Sequence, residues 1–237
     1  MKNITLKQTL TTLVLRLIKM KEGFFSVYKP KGPSSFWVVA QVRKIVDKKV
    51  KVGHAGTLDP LAEGVLVIAV GRESTKKISE TVAKEKEYIA EVFLGEESST
   101  DDGEGEKTEI DKSFTPRKEE VLEILKKFEG EIMQKPPIFS AIKVSGKNSY
   151  LLARKGQIPD LKDRMVKIHK IELLEYNYPI IKIKVITGPG VYIRALSRDI
   201  GRELKTGAYM YSLVRNRVGA FTADNAIKVE DLESFLK

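Results

Sequence analysis

Residues 64–71, GVLVIAVG, form an unbroken apolar run of strand length, the pattern of a strand covered on both faces. Residues 86–95, KEYIAEVFLG, alternate instead. Tyr88, Ala90, Val92 and Leu94 share one face, which predicts a strand. GFFSVYKP, at 23–30, predicts a buried strand closed by Pro30. In GPSSFWVVAQVRKIVD the spacing becomes helical: Ser34 or Ser35 is the N-cap candidate, and Phe36, Val39, Ala40 and Arg43 or Val46 recur at helical intervals. Ser74 to Ala83 predicts a short helix. RKEEVLEILKKFEG predicts an amphipathic helix ended by Gly130.

PPIFSAIKVSG predicts a strand after a proline pair, and NSYLLARKGQ a helix capped by Asn148. MVKIHKIELLEY and IIKIKVITG predict two strands joined through Tyr-Asn-Tyr-Pro. Ile193 to Lys205 predicts a helix, AYMYSLVRNRVGAF a strand pair, and VEDLESFLK a last helix. The stretch from Glu96 to Pro116 is polar and acidic and predicts a loop. Strands separated only by short turns pair antiparallel. The fold class expected is therefore α+β, a mixed, largely antiparallel central sheet flanked by helices. No internal repeat is present.

Composition narrows the chemistry. The 237 residues are 42% hydrophobic, enough for a real core. The absence of Cys excludes disulfides, thiolate catalysis and Cys-ligated zinc, and is compatible with a reducing cytoplasm. Two histidines, His54 and His169, exclude a His-rich metal site, leaving only a carboxylate-held magnesium. A net charge of +10 points to a polyanionic partner. Basic clusters run through Arg43 to Lys51, Arg164 to Lys170 and Arg194 to Arg202, and an acidic patch runs from Glu96 to Glu109. Any one cluster is read most simply as a solvated face. Together they favour RNA or DNA. No apolar run is long enough to span a membrane. MKNITLKQTLTTLVLRLIKM predicts a short amphipathic helix or an upstream extension, with Met20 as an alternative start.

Asp59, in GHAGTLDP, is the candidate for chemistry. The loop is neither a P-loop nor a dinucleotide fingerprint, and no Gly-x-Ser-x-Gly elbow supports serine hydrolysis. Pro60 biases Asp59 toward an extended backbone, and Gly53 and Gly56 permit tight turns. From this motif alone, a turn residue is the simpler account and a nucleophile the sharper one. Arg194 lies at the start of a helix, where the dipole disfavours a cation, so an acidic partner is expected. Pairing with Asp59 would lower the carboxylate pKa and keep it ionised; a structural ion pair fits equally well. Tyr88 and Tyr192 are either core rings or stacking platforms for an unpaired base. His54 is either a turn residue or a wedge into RNA.

Several segments together resemble one family, the TruB-type tRNA pseudouridine synthases. They are VYKPKGPSS, GHAGTLDPLAEGVLVIAVGRESTK, KEYIAEVFLG, KPPIFSAIKVSGKNSYLLARKG, GPGVYIRALSRDIGREL and AYMYSLVRNRVGAF, in order from Phe24 to Phe221. The resemblance implies the pseudouridine synthase fold. It also implies isomerisation of uridine 55 in the T loop of tRNA, with no cofactor, metal or guide RNA, by a cytoplasmic monomer. It makes Asp59 the catalytic carboxylate, Arg194 its salt-bridge partner and Tyr88 the ring that stacks on the target base. His54 takes the space of the flipped nucleotide, Tyr192 and Leu213 line the pocket, and Lys29 supports the site. Addition of the carboxylate to C6 of the base and assistance at C1′ of the ribose both fit these residues.

Three positions depart from the family pattern: Phe139 for Tyr, Ser98-Ser99-Thr100 for Thr-Asp-Thr, and Tyr209 for His. The expected organisation is an extension over 1–22, a catalytic domain over 23–222, and a short helix over 223–237 in place of a PUA domain. Two further readings are a non-catalytic RNA-binding module on the same scaffold and a guide-RNA-dependent relative. The intact Asp59, Tyr88 and Arg194 set speaks against the first. The missing PUA domain speaks against the second.

Overall fold

The computed structural model describes residues 22–110, 114–144 and 146–237. The helix expected over 1–20 lies outside them. In chain order the elements are β1 (Gly23–Lys29), α1 (Ser35–Ile45), β2 (Val52–Ala55), β3 (Glu63–Val70), α2 (Arg72–Lys76), α3 (Ile78–Val82) and β4 (Lys86–Leu94). Next come β5 (Glu96–Ser98), β6 (Lys107–Glu109), α4 (Lys118–Lys127), β7 (Gly130–Gln134), β8 (Lys143–Val144), β9 (Lys147–Asn148) and α5 (Ser149–Ala153). The chain ends with β10 (Arg164–Asn177), β11 (Ile180–Thr187), α6 (Ile193–Glu203), β12 (Ala208–Val218), β13 (Phe221–Thr222), β14 (Ile227–Lys228), a short 3-10 turn and α7 (Leu232–Leu236).

Among the described residues, ten strands form one mixed sheet, ordered β14-β1-β3-β12-β4-β11-β10-β7, with β2 on β3 and β13 on β12. Only the β1–β14 and β3–β12 pairs are parallel; the rest are antiparallel. This is the α+β class that the strand spacing predicts. Every residue of β3 after Glu63 is buried: Leu66, Ile68 and Val70 share the main core with Val38, Val39 and Val42 of α1, and Val65 and Val67 pack on the other face with Ala55, Val218 and Ile78. β4 buries its alternate positions, Lys86, Tyr88, Ala90, Val92 and Leu94. Helix α1 starts as expected: Ser34 Oγ accepts the Trp37 N–H, and Val38, Val39 and Val42 enter the core.

Some elements differ from the expectation. PPIFSAIKVSG is not a strand; only Lys143–Val144 pairs, with Lys147–Asn148. Its proline pair removes two ladder donors, which suits irregular backbone. The expected helix from Ser74 to Ala83 is split into α2 and α3 around Lys77. The acidic loop contains the β5–β6 hairpin. β2 and β7 were not expected, since glycines and charges mask the alternation of both. The strand pair at 208–221 is one long strand with a two-residue return, and the C-terminal segment adds β14, which extends the sheet beside β1.

One consequence of this topology places Asp59. β2 and β12 share the same edge of β3. β2 pairs with Val67 to Val70 and then peels away, while β12 takes Glu63 and Gly64. The connection from Gly56 to Ala62 therefore hangs over the point where β12 enters. Gly64 is required there. Its φ is +106°, and a Cβ would lie 2.3 Å from the Arg215 carbonyl oxygen.

Candidate active site

The loop carrying Asp59 is clamped through its backbone. Ser35 Oγ, at the first turn of α1, donates to the Leu58 carbonyl and accepts the Leu58 N–H, both at 2.8 Å. Gly32 N–H donates to the Pro60 carbonyl at 2.8 Å, and Ala62 N–H to the Asp59 carbonyl at 3.1 Å. Lys29, with no solvent-exposed surface, donates from Nζ to the carbonyls of Ala62 (2.7 Å) and Pro30 (2.8 Å), with a longer contact to Pro60 (3.4 Å). The VYKPKGPSS segment thus acts as the mount of the GTLDP loop. None of these bonds uses the Asp59 side chain, which is left free for a partner.

That partner is Arg194, the second residue of α6. Its Nε lies 3.0 Å from Asp59 Oδ2, and its Nη2 donates to Asp59 Oδ1 at 3.4 Å, a two-point contact across 135 residues of sequence. The same guanidinium donates to the carbonyls of Phe139 (2.8 Å) and Thr100 (3.3 Å) and lies 3.6 Å from Asp102 Oδ2. Two carboxylates therefore offset the unfavourable helix-start position. The sequence predicts an acidic partner there; Asp102, a retained family position within the acidic patch, is the second, a pairing that only the fold reveals. Thr100 Oγ1 and the Glu104 N–H bond the other Asp102 oxygen.

The expected lowering of the Asp59 pKa is corrected by its surroundings. Arg194 and Lys29 pull the carboxyl down, but desolvation in the recess outweighs them and Asp102 adds repulsion, so the net shift is upward. About a third of the side chain still reaches solvent, 36%, through the open side of the recess. A desolvated anion with one open face is a better nucleophile than a fully hydrated one.

Tyr88 lies on β4 directly across from Arg215 on β12. Its ring is buried, and burial raises the phenol pKa. The Arg215 charge opposes that rise, and its guanidinium donates to the carbonyls of Val65 (2.8 Å), Gly56 (2.9 Å) and Thr57 (3.5 Å). It is 2% exposed. The sequence reading missed Arg215, which ties the Tyr88 strand to the Asp59 loop; its only signal was a basic pair, Arg215 with Arg217, in an apolar strand. Leu213 lies two residues earlier and faces Ala90. Tyr192 precedes α6, and its main chain is bracketed by the buried Gln134 side chain at 2.9 and 3.2 Å, another partner the sequence does not mark. His54 ends toward the same loop on β2, and its pKa is lowered by burial and then by Arg215. The structure thus brings Asp59, Arg194, Lys29, Tyr88 and His54 around one loop, with Tyr192 and Leu213 beside it.

The three family departures sit without conflict. Phe139 contributes its carbonyl, which any residue supplies. Thr100 keeps the bond to Asp102. Tyr209 stacks on Phe93 at 5.2 Å, with Lys107 Nζ 4.6 Å over its ring. Among the described residues no group of His, Cys, Asp and Glu could hold a metal ion, and no helix is long and apolar enough to cross a membrane.

Burial lowers the pKa of Lys29 to about 8, and likewise that of Lys86, whose Nζ donates to the carbonyls of Val82 and Lys84 at 2.7 Å. Between about 8 and the ordinary 10.5 the unfolded chain holds a proton at each lysine that the folded chain has released. Stability should therefore rise with pH across that window, by at most about 1.4 kcal/mol per pH unit for each lysine. Urea midpoints measured at about pH 7.5 and about pH 9.5 should climb in the wild type and climb less in Lys86→Met; a flat wild-type series contradicts the assignment.

A mixed sheet with a carboxylate–guanidinium pair at its mouth defines the class as the pseudouridine synthase fold. A solved structure described as a Cbf5–Nop10–Gar1 complex contains a chain that matches with a TM-score of 0.68 and 31% identity, covering 90% of this chain; the present chain spans 54% of that one. The particular family follows from the sequence models. The model for the TruB family pseudouridylate synthase N-terminal domain matches residues 43–193, and that for the tRNA pseudouridylate synthase B C-terminal domain matches 194–237. Among curated relatives, tRNA pseudouridine synthase B of Parabacteroides distasonis is 48% identical over 82% of this chain and 83% of its own. That of Phocaeicola vulgatus is 45% identical over 92% of this chain and 95% of its own. The chain belongs to the TruB family of pseudouridylate synthases, which are isomerases.

Proposed function

We propose that the chain isomerises uridine 55 in the T loop of tRNA to pseudouridine, acting as a cytoplasmic monomer without a guide RNA or cofactor, with residues 23–222 as the catalytic unit. The observation that carries this reading is the Asp59 carboxylate, fixed through its backbone and held by two atoms of Arg194 beside Tyr88. The T loop is stacked, so the target nucleotide must flip out before its C5 can meet the sugar. The Tyr88 ring receives the base, Tyr192 and Leu213 close the pocket, and His54 fills the space left behind. The N1–C1′ bond breaks and the C5–C1′ bond forms. The C5 proton leaves and N1 takes one up, so electrons and groups balance without a redox partner. Asp59 forms and releases the transient covalent link; Arg194 keeps it ionised.

Incubation with an unmodified T-arm stem-loop, followed by mapping of pseudouridine, should show conversion at uridine 55 alone. A folded T arm that yields no product overturns the reading.

A further inference from the structure

An aromatic and cationic surface adjoins the Asp59 recess but takes no part in it. Phe36, the second residue of α1, is 63% exposed, and Trp37 beside it is 40% exposed. The Phe36 ring meets His54 edge-on, with centroids 6.5 Å apart and planes at 88°. The Arg43 guanidinium, about two turns further along the same helical face, lies 5.8 Å from the same ring. Arg43 then opens onto a recess of about 590 Å³ lined by Lys48, Lys49 and Lys51, with Asp47 as the one carboxylate. Four cations face one anion there. Two large exposed aromatic rings at a helix start, backed by this charge, are costly in water and suit a ligand that offers both ring faces and phosphates.

We propose that the first turn of α1 and the α1–β2 connection form a second RNA-contacting surface, on which Phe36 stacks an unpaired base of the substrate while Arg43, Lys48, Lys49 and Lys51 bind phosphates of the adjoining strand. The proposal rests on RNA being the substrate. His54 is the link: it touches Phe36 on one side and leads into the Asp59 loop on the other. A base held on Phe36 is thereby placed next to the nucleotide that occupies the active site. Arg43 also donates to the Val52 carbonyl at 2.9 Å, so its guanidinium is already positioned before RNA arrives.

Phe36→Ala tests the surface, because an exposed ring can be removed without opening the core. Its KM for the T-arm stem-loop should rise roughly 10- to 100-fold, the range for loss of one base-stacking ring, while kcat stays within about twofold. Phe36→Trp should restore most of the KM. The double variant Lys48→Gln/Lys49→Gln should flatten the slope of log affinity against log salt by about 1.4 to 1.8, because two phosphates are no longer neutralised. Kd should be read in the Asp59→Asn background, where binding is measured without chemistry. The surface is then tested even if the wild-type chain converts no uridine. An unchanged Kd and KM in Phe36→Ala, or an unchanged salt slope in the double lysine variant, overturns the proposal.

Discussion

Asp59→Asn should leave a folded chain that binds the T arm and makes no pseudouridine, with turnover down by about 10⁴-fold or more, the scale for removal of a nucleophile. Asn has the same shape. The loop bonds that fix this position come from Ser35, Gly32, Lys29 and Ala62 and touch only main-chain atoms, so the amide inherits the same place. Arg194 keeps Asp102 as a counter-charge and two carbonyls as acceptors, so stability should change by no more than about 1 kcal/mol. Product mapping beside a thermal melt separates the two effects. Activity within tenfold of wild type would mean that the nucleophile is another group. Asp59→Glu should fail nearly as badly, since a clamped loop cannot retreat by the length of a methylene and a 1 Å displacement costs about 10²-fold. Burial pushes the Asp59 carboxyl up and Asp102 adds to it, so the acid limb of kcat/KM should lie above the ordinary carboxylate value near 3.9. Activity is lost as pH falls through that limb, because only the ionised form reacts.

Arg194→Met should cost both stability and catalysis. The guanidinium is 7% exposed, and its removal leaves Asp102, 4% exposed, beside Asp59 with no cation between them. Breaking a buried pair in this way costs about 3–5 kcal/mol, which for a domain of this size lowers Tm by roughly 10 °C. With the opposing cation gone, the Asp59 pKa moves further up, so turnover at neutral pH should fall by about 10³-fold and recover in part as pH is raised. Affinity for the T arm should stay within a few-fold, measured by filter binding. An equal loss of affinity and turnover would make Arg194 a phosphate ligand instead. Arg194→Lys should fall between, because a single ammonium cannot span both Asp59 oxygens and also reach the Phe139 and Thr100 carbonyls.

The elements legible in the sequence were those whose burial follows their own periodicity. β3 reads as an unbroken apolar run because both its faces are covered, β4 as alternation because one is, and α1 and α4 as helices because each presents one apolar face. β2 and β7 did not read as strands, since Gly53, His54 and Glu131 are set by what they sit beside rather than by a repeating pattern. The segment 136–146 misled in the opposite direction: Ile138, Phe139 and Ile142 suggested a strand, but its role is to offer the Phe139 carbonyl to Arg194.

The sequence by itself determined that Asp59 sits in a turn before a rigid strand, and that a cation at a helix start needs an acid. With the family resemblance it also indicated which acid. It did not carry the closure of the site. Arg215 reaches Gly56 across 159 residues, and Gln134 brackets Tyr192 across 58. Each of these is an ordinary polar residue in an unremarkable local pattern. Its function exists only once the sheet brings a particular main-chain carbonyl or N–H within reach, because a buried polar group gains its value from the partner that replaces water. The direction of the Asp59 shift was decided in the same way: the chain supplied the charges, but the depth of the recess determined that desolvation outweighs them.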